Sequence, residues 1–236
     1  MLLTRIITAL VIAPAALAGV FLLPPFEFSL FIGAVLLGAA WEWGNFGGLT
    51  ASLRVAYALT LAPVLFLASY LPAEKIMFFG LLWWALALIF VVRFPELDRI
   101  WSSQISVLLI GFVVLVPGWI ALKELKLLAD SNYLICYLFF LIWGADVGAY
   151  FSGRAFGKAK LAANVSPGKT WAGFFGGLVV VFAVASGMSV WFGRPDLISP
   201  DGLALLGLSL VVGMVSVLGD LTISMFKRKR NLKHSS

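Results

Sequence analysis

Eight apolar runs, at about 5–23, 28–46, 53–71, 76–93, 103–122, 132–152, 170–192 and 203–222, leave this chain few ways to fold. A helix of about 20 apolar residues crosses a hydrocarbon core of roughly 30 Å. Inside a bilayer the backbone must satisfy its own hydrogen bonds, so only helices or a closed barrel can span it. Barrel strands alternate apolar and polar residues over about ten positions, and these runs do not alternate. The apolar fraction, 62%, is well above that of a soluble domain. The expected fold is therefore all-α, a polytopic transmembrane helix bundle of about eight spans. Only short polar connections separate the runs, with no internal repeat and no low-complexity tract. Any chemistry must lie at the membrane surface or within the bundle.

The first run also has the marks of a cleaved signal peptide: an arginine, an apolar stretch and "ALAG" as a cleavage site. Seven further runs favour a retained signal anchor instead. Cys136 is the single cysteine, inside the sixth run, and reads as packing.

Charge sets the expected orientation. In an eight-span arrangement, thirteen of the seventeen basic residues share one side, including Arg154, Lys158, Lys160, Lys169 and the terminal Lys227 to Arg230. The other side holds four: Lys75, Lys123, Lys126 and Arg194. Positive charge marks the cytoplasmic face, which places both termini in the cytoplasm. Trp41, Trp43, Trp101 and Trp119 fall near span ends, where interfacial aromatics are expected. Attraction to anionic lipid accounts for the terminal basic run. It accounts less well for the connection after the sixth run, where Arg154, Lys158, Lys160 and Lys169 crowd together without an acidic residue. Such a cluster suits a polyphosphate or a phospholipid head group.

Most of the eleven acidic residues fall in connections or at span ends, but Asp146 and Asp220 lie late in the sixth and eighth runs. An aspartate at a helix centre costs about 3 kcal/mol on insertion scales, so such residues are candidates for function. Both runs go from the outer side inward, which puts the two carboxylates at one depth beside the basic connection. That pattern suggests ligands for a divalent metal that also holds a nucleotide phosphate. Hydrogen bonding to a neighbouring span is the competing account of each aspartate. Gly144 and Gly148 bracket Asp146, and Gly173 and Gly177 repeat the spacing in the seventh run, as close helix packing requires. Tyr150 shares the face of Asp146 one turn on, either orienting a ligand or satisfying its own hydroxyl. The stretch "SPGKTWAGFFGG", residues 166–177, reads as a turn entering the seventh span. A helix start attracts an anion, Lys169 adds a full charge, and Ser166 or Thr170 can cap the helix. A capped, cytoplasm-facing helix start is the plainer reading. The glycine spacing and strand of a Walker A motif are missing.

"WGADVGAYFSGRAFGKAKLAANVSPGKTWAGFFGG" followed by "VLGDLTISMFKRKRNLK" resembles the bacterial phosphatidate cytidylyltransferases, the CDP-diacylglycerol synthases. The resemblance is strongest over about 140–233. It implies a polytopic inner-membrane enzyme that makes CDP-diacylglycerol and pyrophosphate from CTP and phosphatidic acid. It further implies a homodimer needing Mg2+, alone or with a second cation, and no nucleic-acid partner. By the same resemblance Asp220 is a metal-binding aspartate, and Asp146 matches the aspartate of the span before the basic loop. Ser166, Lys169, Thr170 and Trp171 match a Ser-Pro-x-Lys-Thr-Trp element. Ser224, Lys227, Arg228 and Lys233 match the first half of the signature Ser-x-x-Lys-Arg-x4-Lys-Asp. The expected division is an N-terminal transmembrane region over 1–130 and a catalytic-type region over 131–236.

The chain departs from the family pattern at several points. His234 stands where the signature has Asp, Ile223 and Ala172 stand where many members have Glu, and the chain ends at Ser236. The family continues with a Gly-His-Gly-Gly and Asp-Arg-x-x-Asp-like stretch, which carries the partner aspartate of the metal site, and then a final span. The expectation from this is a chain truncated at its C-terminus. Two other functional readings stay open at this level. One is a truncated or degenerate member that acts without catalysis through packing or lipid binding. The other is a small-solute transporter using the intramembrane aspartates, although no inverted repeat is visible. His234 reads as a solvated tail residue.

Overall fold

The structure, a computed structural model, describes residues 14–192 and 198–232. Helix α1 is described over 14–22. It is followed by α2 (Pro25–Phe46), α3 (Ala51–Ala68), α4 (Ala73–Val92), the short α5 (Asp98–Trp101), α6 (Gln104–Leu127) and α7 (Ser131–Phe156). Strands β1 (Lys160–Ala162) and β2 (Ser166–Thr170) come next, then α8 (Trp171–Phe192) and α9 (Pro200–Lys229). Among the described residues seven helices are long and apolar enough to cross a membrane. The chain is thus an all-α polytopic membrane protein. Residues 5–13 of the first expected span, 5–23, fall outside the described residues, as do Lys233, His234 and Arg194.

Local chemistry punctuates these helices. Pro25 opens α2 at a position where its missing N–H costs nothing, and Gly48, with φ 76°, turns the chain after it. Helix α9 starts with Ser199, whose Oγ accepts from the Gly202 N–H at 3.1 Å, and with Pro200 and Asp201 in the first turn. It ends on Lys227, Arg228 and Lys229, whose charges suit the negative end of the helix dipole. Asn231, with φ 53°, closes it. The apolar run ends near 222, but the helix carries on to Lys229, so Ser224, Lys227 and Arg228 are helical residues.

The chain divides into two compact units. One comprises residues up to Leu82 together with Val107–Cys136. Its interior corrects the expectation that the tryptophans form a membrane belt. Trp43 and Trp119 are buried, their indole N–H groups donating to the Val107 carbonyl at 2.8 Å and the Ser29 carbonyl at 2.9 Å. A buried indole needs such an acceptor, and helix carbonyls were near enough to supply it. Trp41 lies under the Arg54 guanidinium, 3.5 Å from the ring centroid. Lys126, expected in an outer connection, is buried at the end of α6, donating to the Val20 carbonyl and, at 2.7 Å, to Asn132 Oδ1.

The other unit comprises Trp83–Ser106 and residues from Tyr137 onward. Tyr137, Leu141 and Ala145 of α7 pack on Val181 and Ala185 of α8, with Leu205, Leu206 and Leu210 of α9 against them. The Tyr137 hydroxyl and the Ser209 hydroxyl are hydrogen-bonded at 2.6 Å, so this polar pair is satisfied inside the apolar layer. Trp101, also expected at an interface, is buried edge-on against Phe226, with centroids 4.9 Å apart.

Glycines bring α7 and α8 together. A Cβ on Gly173 would sit 2.8 Å from the Ala149 carbonyl oxygen, and one on Gly177 would sit 2.8 Å from that of Ala145. The small-residue spacing in the two apolar runs therefore corresponds to backbone-to-backbone contact. Gly207 of α9 has open space around it.

Candidate active site

Asp146, Tyr150 and Arg154 recur every fourth residue on α7 and so form one stripe. The Arg154 Nη1 donates to the Tyr150 hydroxyl at 3.1 Å. The helix runs to Phe156, which places Arg154 in its last turn and not in the connection.

The basic connection is a small antiparallel hairpin where a turn was expected. Lys160 pairs with Thr170 and Ala162 with Ser166, and the Trp171 N–H donates to the Ala159 carbonyl at 3.0 Å to close its open end. Strands of three and five residues carry too little period to be read from sequence. Three contacts fix the hairpin and its neighbours. Arg228 Nε donates to the Val165 carbonyl at 3.1 Å, Asn164 Nδ2 donates to the Phe94 carbonyl at 3.2 Å, and Lys229 pairs with Asp98 at 2.7 Å.

Strand β2 delivers Lys169 and Thr170 directly to the start of α8. The buried Thr170 Oγ1 accepts from the Gly173 N–H at 3.1 Å, so Thr170 is the residue that caps the helix. Losing such a cap costs about 1 kcal/mol. Thr170→Val should therefore lower the thermal stability of the purified protein by about that amount, whereas Thr170→Ser should keep it. Equal melting temperatures for the wild type and the Val variant would show that the cap is idle.

These elements line an open cavity of about 390 Å³ whose walls include Asp146, Tyr150, Arg154, Lys169, Thr170 and Asp220. Lys169 Nζ and Asp220 Oδ2 form an ion pair at 2.6 Å across it. The lysine side chain is 26% exposed and the aspartate 61%, so the pair stands in the open cavity and solvent screens it. The exposure leaves both charges accessible to a ligand.

The cavity brings together five residues singled out from the sequence: Asp146, Tyr150, Lys169, Thr170 and Asp220. Ser166, Ser224, Lys227 and Arg228 are not among the described residues that line it, and Lys233 lies outside the described residues. Lys158 and Lys160 are exposed on the hairpin side. Arg154 was visible only as one of a cluster of cations. Its helical spacing from Asp146 and Tyr150 was the signal for a place in the cavity wall.

Among the described residues no group of three His, Cys, Asp or Glu side chains is placed to hold a metal ion. Two carboxylates in one cavity nevertheless form a donor set that suits Mg2+. That ion keeps several waters and takes its remaining oxygens from one or two carboxylates and from substrate phosphates. Asp146 and Asp220 are the residues that fit this role.

Comparison with known proteins adds the relationships of the chain. A model of the cytidylyltransferase family matches residues 3–236. The phosphatidate cytidylyltransferase of Pseudomonas aeruginosa is 46% identical over 239 residues, a match covering 100% of this chain and 87% of that protein. That of Haemophilus influenzae is 37% identical over 258 residues, covering 100% and 89%. That of Brucella suis is 31% identical over 247 residues, covering 98% and 82%. No solved structure matches the chain.

Proposed function

Because the chain belongs to the cytidylyltransferase family, we propose that the cavity walled by α7, β2, α8 and α9 is where it transfers a cytidylyl group from CTP to phosphatidic acid. The products are CDP-diacylglycerol and pyrophosphate. A phosphate oxygen of the lipid attacks the α-phosphorus of CTP and forms a new P–O bond. The bond from that phosphorus to the bridging oxygen of the β-phosphate breaks, and pyrophosphate leaves in line. The protein has little covalent work to do in such a reaction. It positions the two reactants and neutralises charge.

The observation that carries this reading is the Lys169–Asp220 pair inside a cavity that Asp146 also lines. On binding of the nucleotide, Lys169 exchanges its carboxylate partner for phosphate oxygens, and the Asp220 carboxylate is released. The first turn of α8, capped by Thr170, presents its positive end to the same anion. Arg154 adds a second cation to the wall, with a planar fork that suits a phosphate. Asp220 and Asp146 would hold Mg2+, alone or with a second cation, and the ion would add to the neutralisation of phosphate charge. Ser166, Ser224, Lys227, Arg228 and Lys233 are proposed to bind the substrates, Lys227 and Arg228 meeting pyrophosphate or the lipid phosphate. Arg228 also anchors the hairpin through Val165.

The distribution of basic residues supports placing both termini, and the cavity, on the cytoplasmic side of a bacterial inner membrane. The homodimer rests on the family resemblance of the C-terminal motifs, and cross-linking in intact membranes would test it. Purified protein in lipid should convert CTP and phosphatidate to CDP-diacylglycerol and pyrophosphate. Chelation of divalent cations should stop turnover and added Mg2+ should restore it. Full activity in excess chelator would remove the metal from this account, and the absence of liponucleotide under every condition would remove the reaction.

A further inference from the structure

A second cavity, open on one side and of about 640 Å³, lies against the polar one. Its walls are almost wholly apolar and come from the end of α4, the hairpin, the start of α8 and one stripe of α9. Leu161, Phe174 and Val217 line both cavities, so the two share a partition. On α9, Met214, Leu218 and Leu221 face the apolar cavity at helical spacing, while Asp220, on the next stripe, faces the polar one. From Leu88 to Val92, α4 supplies the opposite wall. Among the described residues of this wall, Asn164 is the one with an amide side chain, and its Nδ2 donates to the Phe94 carbonyl at 3.2 Å.

We propose that this second cavity receives one acyl chain of the lipid whose phosphate enters the polar cavity, and that Leu88, Met214 and Leu218 set the acyl-chain length the protein accepts. The inference rests on the functional reading above and deepens it. A single molecule with a dianionic head and an apolar tail matches two cavities of opposite character that meet at three residues. A tail already dissolved in the bilayer gains nothing from leaving water, so the cavity does not bind it by the hydrophobic effect. It discriminates by close packing and by clash, which are sensitive to one or two methylenes. Length selectivity is therefore the property this geometry produces.

Photolabelling tests the placement without needing turnover. Phosphatidate with a diazirine at the end of one acyl chain should label the protein in segments 88–92 and 214–221. Label confined to other segments would overturn the inference. Selectivity tests the function. Leu218→Trp narrows the cavity and should lower the ratio of kcat/KM for dipalmitoyl over dioctanoyl phosphatidate about tenfold. Met214→Ala widens it and should shift the ratio towards longer chains, which keeps the test available if the tryptophan variant fails to fold. An unchanged ratio in both variants would refute the assignment. Labelling at the stated segments with no CTP turnover in the wild type would sink the transfer reaction and leave the acyl site standing. Turnover with label elsewhere would do the reverse.

Discussion

Asp220→Asn should reduce CTP-dependent formation of CDP-diacylglycerol by about a hundred- to a thousandfold, the loss typical when one preorganised electrostatic partner of a transition state is removed. The substitution keeps shape and volume and removes only charge, so a large effect on turnover without loss of folded protein separates chemistry from structure. Asp220 stands 2.6 Å from Lys169 in the polar cavity. Its neutral replacement both weakens any divalent cation held there and leaves Lys169 without its counter-ion. Asp146→Asn should lose activity on a similar scale, because it supplies the second carboxylate. Asp98→Asn is the matched control. Asp98 pairs with Lys229 at 2.7 Å and is not a lining residue of the cavity, so turnover should change by no more than a few-fold. Wild-type kcat in Asp220→Asn, or an equal loss in the Asp98 control, would reject the role given to Asp220.

Gly173→Val should be strongly damaging although it touches no charge. A Cβ at this position would meet the Ala149 carbonyl oxygen at 2.8 Å, Thr170 Oγ1 at 3.3 Å and the Gly153 Cα at 3.4 Å. Two of these are backbone atoms that cannot rotate away, so α8 must move off α7. Overpacking of this kind costs about 1–3 kcal/mol, occasionally more. Here the displacement also separates Asp146 and Arg154 on α7 from Lys169 and Thr170 at the entrance of α8. A fall in melting temperature should therefore be accompanied by a loss of turnover larger than the loss of folded protein. Gly207→Ala is the comparison. It has open space and gains helix propensity, so both properties should stay at or above wild type. Full activity in Gly173→Val would mean that the close approach of α7 and α8 is not needed to assemble the cavity.

The depth to which the sequence could be read differs from element to element, for physical reasons. Seven apolar runs became helices that can span a membrane, because length and hydropathy are local properties and a bilayer admits few backbone solutions. The end of α9 was read too early because the apolar pattern stops near 222. The helix itself continues, since lysines and arginines are good helix formers and suit its last turn. The tryptophans were misplaced because an aromatic near a span end is compatible with both a lipid interface and a packed interior. Only packing chooses, and Trp43, Trp101 and Trp119 are buried. The two lysines counted together with Lys169 in the basic connection, Lys158 and Lys160, turned out to be exposed on the hairpin side.

By itself the sequence determined that this chain lives in a membrane as a helix bundle, and which charges are too costly there to be accidental. It also carried the motif that places the chain in its family. Tertiary structure alone decided that Lys169 reaches Asp220, that Arg154 joins the same wall, and that an apolar cavity adjoins the polar one. The reason is range. Hydropathy, caps and charge costs act within a few residues of the chain, whereas a cavity is defined by side chains from several elements whose approach is set by glycine contacts and a short hairpin that no local pattern encodes.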